Sequence, residues 1–363
     1  MIIKEVHLRN FRNYIDQVIR FDDGLNIIVG KNAQGKTNIL ESLVLLSTTR
    51  SFRDVDDYEM VRHGESFGDV EGVFFDDSLN RLKVIISNKG KTLMLNRSIF
   101  NRTSDFIGLL NVVIFDPSNI SFFDESPGFR RRAIDIEIAK VDKRYVLALN
   151  AYNKLLKERN TYLKNDNADI AYLKALEQQM IDYELLVIDR RNKLCECLND
   201  GFSSLFNKLS NSNDNIRIEY NSCVAIDDKL KQNLEDMYEK ARNKDIFYKL
   251  TNNGIHRDDF VFYFNEHKIE TIASQGQKRL TIIVFKLKLI DYIYKITKKK
   301  PVLLLDDILS ELDNEKQYLL LKNIPRDIQT IITTTNISKT LNTLKFKVIN
   351  IEKGTVKGRV NNE

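Results

Sequence analysis

Residues 25–37 read LNIIVGKNAQGKT, a short apolar run from Leu25 to Val29 that stops at a glycine and opens into a polar loop. Residues 36–47 (KTNILESLVLLS) follow with apolar positions at three- and four-residue spacing, the period of a helix. Gly30, Lys31, Asn32, Ala33, Gln34, Gly35, Lys36 and Thr37 thus match G-x-x-x-x-G-K-[ST] in full, between a buried strand and a helix. The order has a physical purpose. Glycines let the backbone curl so that successive N–H groups point at phosphate oxygens, and the helix N-terminus adds partial positive charge. Lys36 is expected to reach the β- and γ-phosphates of ATP, and the Thr37 hydroxyl to ligate Mg²⁺.

A second signal lies far downstream. Val302-Leu303-Leu304-Leu305 is a buried strand that delivers Asp306 and Asp307 to its carboxyl end, where α/β sheets bind ligands. Asp306 is expected to hold Mg²⁺ through water, and Asp307 to orient and deprotonate an attacking water. With Lys36 they are the catalytic candidates. The third signal is Ser274-Gln275-Gly276-Gln277-Lys278-Arg279, a polar turn opening a long amphipathic helix over 276–297. A hydroxyl, a glycine N–H and a helix N-terminus together make an anion site. One phosphate site already exists on this chain, so the economical role of Ser274, Gly276 and Gln277 is to contact a γ-phosphate held by another copy. Two copies about a two-fold axis would then bury two nucleotides. Ser310-Glu311-Leu312-Asp313, just past the acidic pair, could supply Asp313 to the same interface.

Around these motifs the chain has 363 residues, which suggests about two domains at roughly 100–200 residues each. Hydrophobic residues make up 42% and charged ones 29%, so a packed core is expected and wholesale disorder is not. The net charge of +5 is mild, so a nucleic-acid surface must be a local patch. No apolar run approaches the ~20 residues that span a bilayer, and the start (MIIKEVHLRNF) alternates like a strand without the apolar core of a secretory signal. Cys195, Cys197 and Cys223 form no CxxC, which argues against a disulfide framework or a zinc site. A soluble cytoplasmic protein with no membrane partner is expected.

Residues 1–125 read as mixed α/β, with an antiparallel meander between 70 and 100. Ser126-Pro127 is a helix-start signal, and residues 126–250 are mostly helical in spacing, interrupted by an Asn/Ser loop at 210–215. From 251 to 363 the α/β character returns, with strands at Val261–Phe264, Val302–Leu305 and Ile328–Thr334 and a polar tail from 355 expected to fray. The expectation is an α/β head, split in sequence, with a helical insertion.

The loop, the S-x-G-Q turn, the strand ending in acids and the S-E-L-D turn resemble the ABC-type ATPases of DNA maintenance, which include SMC and Rad50 proteins. The resemblance is most specific to the RecF family of bacterial recombination mediators. It is carried by Leu8-Arg9-Asn10-Phe11-Arg12-Asn13-Tyr14, Ser51-Phe52-Arg53, Ser126-Pro127 with Arg130-Arg131-Arg132, YNKLLKERN at 152–160, Gly254-Ile255-His256-Arg257-Asp258-Asp259 and Ser274–Arg279. It implies an ABC-type P-loop head with a mixed sheet and two lobes, ATP-driven homodimerisation, and binding of double-stranded, gapped or junctional DNA. It also implies weak DNA-stimulated hydrolysis and work with RecR and RecO to load RecA, in recombinational repair, replication restart and SOS induction. The chain departs from the wider ABC pattern at Asp307, where most relatives carry Glu. It departs again at Thr335, where many carry a switch histidine. Gln178 and Gln179 lie too far along the chain for the usual Q-loop.

The basic candidates for DNA contact are Arg12, Arg50, Arg53, Arg130–Arg132 and Lys298–Lys300, with Arg12, Arg53, Arg130 and Arg131 foremost. No helix-turn-helix or finger is visible, so backbone or shape recognition is expected. A transporter subunit would want an LSGGQ-like signature and a switch histidine, and the chain has neither. An ATP-gated nuclease would need a further acidic cluster, for which His256-Arg257-Asp258-Asp259 is the local candidate. A scaffold that binds ATP without turnover is the remaining alternative.

Overall fold

A computed structural model describes residues 1–53, 55–165, 169–337 and 345–361. The strands are β1 (Ile2–Phe11), β2 (Tyr14–Arg20), β3 (Leu25–Val29), β4 (Phe67–Asp76), β5 (Ser78–Ser87), β6 (Gly90–Leu95), β7 (Ser98–Phe100), β8 (Val112–Phe115), β9 (Ile216–Asn221), β10 (Asp259–Phe264), β11 (His267–Lys268), β12 (Val302–Leu305), β13 (Thr330–Thr334), β14 (Phe346–Glu352) and β15 (Thr355–Asn361). The helices are α1 (Lys36–Thr48), α2 (Thr103–Phe106), α3 (Pro127–Ala139), α4 (Lys143–Tyr162), α5 (Ile170–Asn199), α6 (Phe202–Ser210), α7 (Leu230–Tyr248), α8 (Ile269–Ile272), α9 (Gln275–Thr297) and α10 (Asn314–Asn323). The chain forms two compact units, one of residues 1–120, 204–213 and 279–363, the other of residues 121–203 and 214–278. The boundaries drawn from composition, after 125 and after 250, put residues 251–278 with the ATPase head, whereas they pack with the helical unit and one boundary falls inside α9.

The first unit contains two sheets. One is antiparallel in the order β2-β1-β4-β5-β6-β7, and the other runs β15-β14-β3-β13-β12-β8. In the second, β14, β3, β13, β12 and β8 are parallel and β15 closes the edge antiparallel. Strand β12 and its edge neighbour β8 read as unbroken apolar runs, as strands covered on both faces do, and are buried at every position. Helix α1 shares one core with both sheets. Ile39, Leu40, Leu43, Val44, Leu45 and Leu46 are buried around its whole circumference, against Val6 and Leu8 of β1, Ile28 of β3 and Leu304 of β12. The described part of the tail, 355–361, does not fray as expected, and residues 362–363 lie outside the described residues. Residues 355–361 pair with β14, because a short strand can satisfy its backbone on an open sheet edge whatever its polarity.

The second unit packs α3, α4, α5 and α7 with the sheet β11-β10-β9. Its helices begin at the caps that the sequence offers: Ser126 accepts from the Phe129 N–H before α3, with Pro127 in the first turn, and Asp142 caps α4. Much of its interior is ionic. Arg159, fully buried, donates to Glu177, Asp245 and Thr251. Arg191 donates to Asp135, Asp258 and the Ile255 carbonyl. Such pairs are costly to break because the surviving partner is left charged without a counter-ion.

Candidate nucleotide site

The loop between β3 and α1 owes its shape to two glycines. Gly35 heads α1 with φ 108°, and a Cβ there would lie 2.6 Å from the Asn13 Nδ2. Gly30 has no room for a side chain at all: its Cβ would lie 2.4 Å from the Ile351 carbonyl oxygen. The loop is braced from two turns. From the β1–β2 turn, Asn13 Nδ2 donates to the Gln34 carbonyl (3.0 Å) and Tyr14 OH to the Gly35 carbonyl (3.0 Å), while Asn38 Nδ2 donates to Asn13 Oδ1 (2.8 Å). From the β14–β15 turn, the Lys353 N–H donates to Gln34 Oε1 (2.6 Å) and the Gly354 N–H to the Gln34 carbonyl (3.1 Å). Asn13, Asn38, Lys353 and Gly354 escaped the sequence reading as loop partners. Asn13 was visible only through the family-like opening segment.

Lys36 lies over this loop, its Nζ donating to the Gly30 and Lys31 carbonyls at 2.6 and 3.1 Å. Burial lowers its pKa, and the nearby carboxylates of Asp307 and Asp306 oppose that shift. Strand order explains the neighbourhood, since β3 and β12 flank β13 in the parallel sheet and all three end on the same side. Thr37 Oγ1 donates to Asp306 Oδ1 at 3.1 Å, and Thr333 Oγ1 donates to the same oxygen at 2.5 Å. Burial raises the Asp306 pKa, while the hydroxyl bonds from Thr333 and Thr37 pull it down. Asp307 has φ 46°, its N–H donates to Thr333 Oγ1 at 2.9 Å, and its Oδ1 is buried with no hydrogen-bond partner among the described residues. A hydroxyl oxygen beside a buried carboxylate and an unsatisfied acceptor fits a hard divalent cation with its waters. Thr37 and Asp306 would hold such an ion, Mg²⁺ in the expected chemistry, and it would offset charge on phosphate oxygens.

The other candidates divide. Ser274, Gly276 and Gln277 belong to the second unit and open α9 with a capping box: the Ser274 N–H donates to Gln277 Oε1 (2.8 Å) and the Gln277 N–H to Ser274 Oγ (3.3 Å). A Cβ on Gly276 would meet nothing nearer than Ser274 Oγ at 4.0 Å, so packing within the chain does not require glycine there. Asp313 is exposed, caps α10 by accepting from the Lys316 N–H, and pairs with Lys316 Nζ at 2.7 Å. Thr335 follows the last residue of β13, and Gln178 and Gln179 lie on α5 in the second unit.

The arginines singled out for DNA are engaged with their own chain. Arg12 makes a two-pronged contact with the fully buried Glu41 of α1 (2.8 and 2.6 Å), and Arg130 does the same with Asp259 (2.8 and 2.7 Å). Arg131 donates to the Asp258 carbonyl. Arg53 is exposed and donates to Asn38 Oδ1 at 3.1 Å. In the His256–Asp259 run, His256 meets Tyr152 OH, Asp258 accepts from Arg191, Tyr220 and the Cys223 N–H, and Asp259 holds Arg130. These carboxylates are spent on structure.

A family model described as RecF/RecN/SMC N terminal domain matches residues 2–357. The DNA replication and repair protein RecF of Streptococcus gordonii is 38% identical over 362 residues, covering 98% of this chain and 100% of the relative. The protein of the same name from Streptococcus agalactiae serotype V is 38% identical over 363 residues, covering 98% of each. The solved structure described as recombination mediator protein RecF-ATP in the RecFOR pathway is similar with a TM-score of 0.89 and 32% identity, over 99% of this chain and 97% of that one. The Smc head domain of Pyrococcus furiosus gives a TM-score of 0.57 at 18% identity, over 99% and 96%, a likeness of fold. The fold is that of an ABC-type ATPase head, mixed α/β with mixed sheets.

Proposed function

The chain belongs to the RecF family of DNA replication and repair proteins, within the wider RecF/RecN/SMC group, and from that premise we propose that it is an ATP-gated DNA-binding protein of recombinational repair and replication restart. ATP joins two copies and favours binding at gapped or junctional duplexes. Slow, DNA-stimulated hydrolysis separates them. RecR and RecO are the partners with which it helps load RecA and support SOS induction.

The observation that carries this reading is the meeting of Thr37, in the first turn of α1, with Asp306 and Asp307 at the end of β12, 3.1 Å between the Thr37 hydroxyl and Asp306, beside a glycine loop built for phosphate. Lys36 and the loop N–H groups bind the triphosphate, and Asp307 accepts a proton from water as it attacks the γ-phosphorus, giving ADP and phosphate. Gly276 is not needed for packing in its own chain, which supports close approach by a group from outside it. Arg12, Arg130 and Arg131 are held by their own chain, and Arg53 pairs with Glu41 and Asn38, so contacts to DNA fall to other exposed basic groups such as Arg50. The internal pairing of Asp258 and Asp259 disfavours the nuclease alternative. Equilibrium binding of a fluorescent ATP analogue tests the site. Lys36→Met should lose at least tenfold in affinity, and wild-type affinity in that variant refutes the assignment.

A further inference from the structure

Of the buried hydroxyls on β13, one points away from its own strand. Thr334 Oγ1 donates to the Asn336 carbonyl (2.9 Å) and Thr330 Oγ1 to the Ile328 carbonyl (3.3 Å), so both serve local backbone. Thr333, fully buried, does something else. Its hydroxyl donates to Asp306 Oδ1 at 2.5 Å and accepts the Asp307 N–H at 2.9 Å, touching both acids with one atom.

We infer that Thr333 is a positioning residue for hydrolysis, which holds Asp306 toward Thr37, the residue that would help hold the metal, and fixes Asp307 in its left-handed turn. The inference rests on the hydrolytic reading above and adds a residue to it. Each half follows from geometry. Asp306 Oδ1 takes a second hydroxyl bond from Thr37, and two donors on one oxygen restrict rotation of the carboxylate. Asp307 has φ 46°, a conformation L-residues rarely adopt, and its backbone N–H is tied down by Thr333. The result is a carboxylate whose Oδ1 is buried and has no partner among the described residues. Strand formation does not call for a hydroxyl at 333. Valine has the same branching and volume and an equal preference for a buried parallel strand. The hydroxyl is therefore spent on the acids. Nucleotide binding without metal depends on the loop N–H groups and Lys36, none of which Thr333 touches.

Thr333→Val, Thr333→Ser and Thr334→Val separate this role from a structural one. For each, ATP turnover is measured with gapped DNA, and the affinity of a fluorescent ATP analogue is measured with Mg²⁺ and with EDTA. Thr333→Val should lower kcat by about tenfold or more and lose most of the affinity gained on adding Mg²⁺, while its EDTA affinity stays within about twofold of wild type. Thr333→Ser should recover both to within about threefold, and Thr334→Val should behave as wild type. Wild-type turnover in Thr333→Val, failure of serine to rescue, or a fall of EDTA affinity in step with kcat overturns the inference. Should the wild type itself show no turnover, the hydrolytic reading fails separately, and the Mg²⁺ arm decides: an equal gain in wild type and Thr333→Val removes Thr333 from the site.

Discussion

Single residues here are informative when their surroundings deny them an ordinary role. Asp307 is one. A carboxylate oxygen buried without a donor is a standing cost of about 1–3 kcal/mol, tolerated where chemistry needs the acceptor. Asp307→Asn should bind ATP within about twofold of wild type and hydrolyse it roughly a hundredfold more slowly, as measured by phosphate release; unchanged turnover removes Asp307 from proton transfer. Glu184 in the second unit is another. It is fully buried, its Oε1 accepts from Tyr238 OH and the Ile255 N–H, and Oε2 has no partner among the described residues. Burial pushes its pKa up to about 7, against the hydrogen bonds that favour the charged form. Nearby His256 is pushed down to about 4, also by burial. The signs differ. Glu184 contributes stability that is complete below about pH 4.5 and is lost as pH rises through 7, whereas His256 contributes stability present above about pH 6.5 and lost as pH falls through 4. Glu184→Gln removes the first term and leaves the second. The stability of wild type relative to Glu184→Gln should therefore fall from about pH 5 to pH 8, by a few kcal/mol at most. Thermal unfolding of both proteins across that range checks it, and a constant difference rejects the buried neutral carboxyl. Of these two acids, Asp307 was legible because its partners in the motif are adjacent. Glu184 was not, because its burial is made by Tyr152, Tyr238 and Ile255 from three distant segments.

At the scale of elements, local chemistry was readable and long-range bracing was not. The strand–loop–helix of residues 25–48, the acid-tipped β12 and the capped start of α3 each carry their signal within a dozen residues. The turns at Asn13 and Lys353 brace the same loop from opposite ends of the chain, a relation no periodicity contains. Strand β15 misled for a related reason, since its polar composition says nothing about the open edge of β14 beside it. The start of α9 is the element whose role is least settled by its own contacts. Its capping box satisfies the first-turn N–H of Gln277, and the open space above Gly276 leaves that surface ready for another group. An arginine at 274 would remove the Oγ acceptor and fill that space. Ser274→Arg should lose about 1 kcal/mol of stability with the cap, keep ATP affinity within about twofold, and remain a monomer with ATP in light scattering. An ATP-dependent dimer of normal strength would show that the start of α9 lies outside the interface.

On the scale of the whole molecule the question raised by the proposed function is how a chain of +5 net charge would hold DNA. The arginines that looked like candidates in the sequence are mostly committed: Arg12 neutralises a glutamate inside α1, and Arg130 joins α3 to β10 through Asp259. Sequence shows that an arginine is present but not which carboxylate claims it, so this part of the surface could not be read in advance. Phosphate contact by scattered lysines and arginines on a single copy gives weak, salt-sensitive binding. Doubling the copies doubles the contacts along one duplex, and linked sites gain from effective concentration without any new contact. ATP-dependent pairing is thus expected to raise DNA affinity and also its salt dependence. In sedimentation velocity at low salt, the Asp307→Asn variant with saturating ATP should run as a dimer bound to a gapped duplex. Without ATP it should run as a monomer with DNA largely free. The slope of log affinity against log salt should be about twice as steep with ATP, because roughly twice as many phosphates are neutralised. If the variant with ATP stays monomeric on gapped DNA, or if the two slopes coincide, nucleotide is not what brings the second set of cations to the duplex.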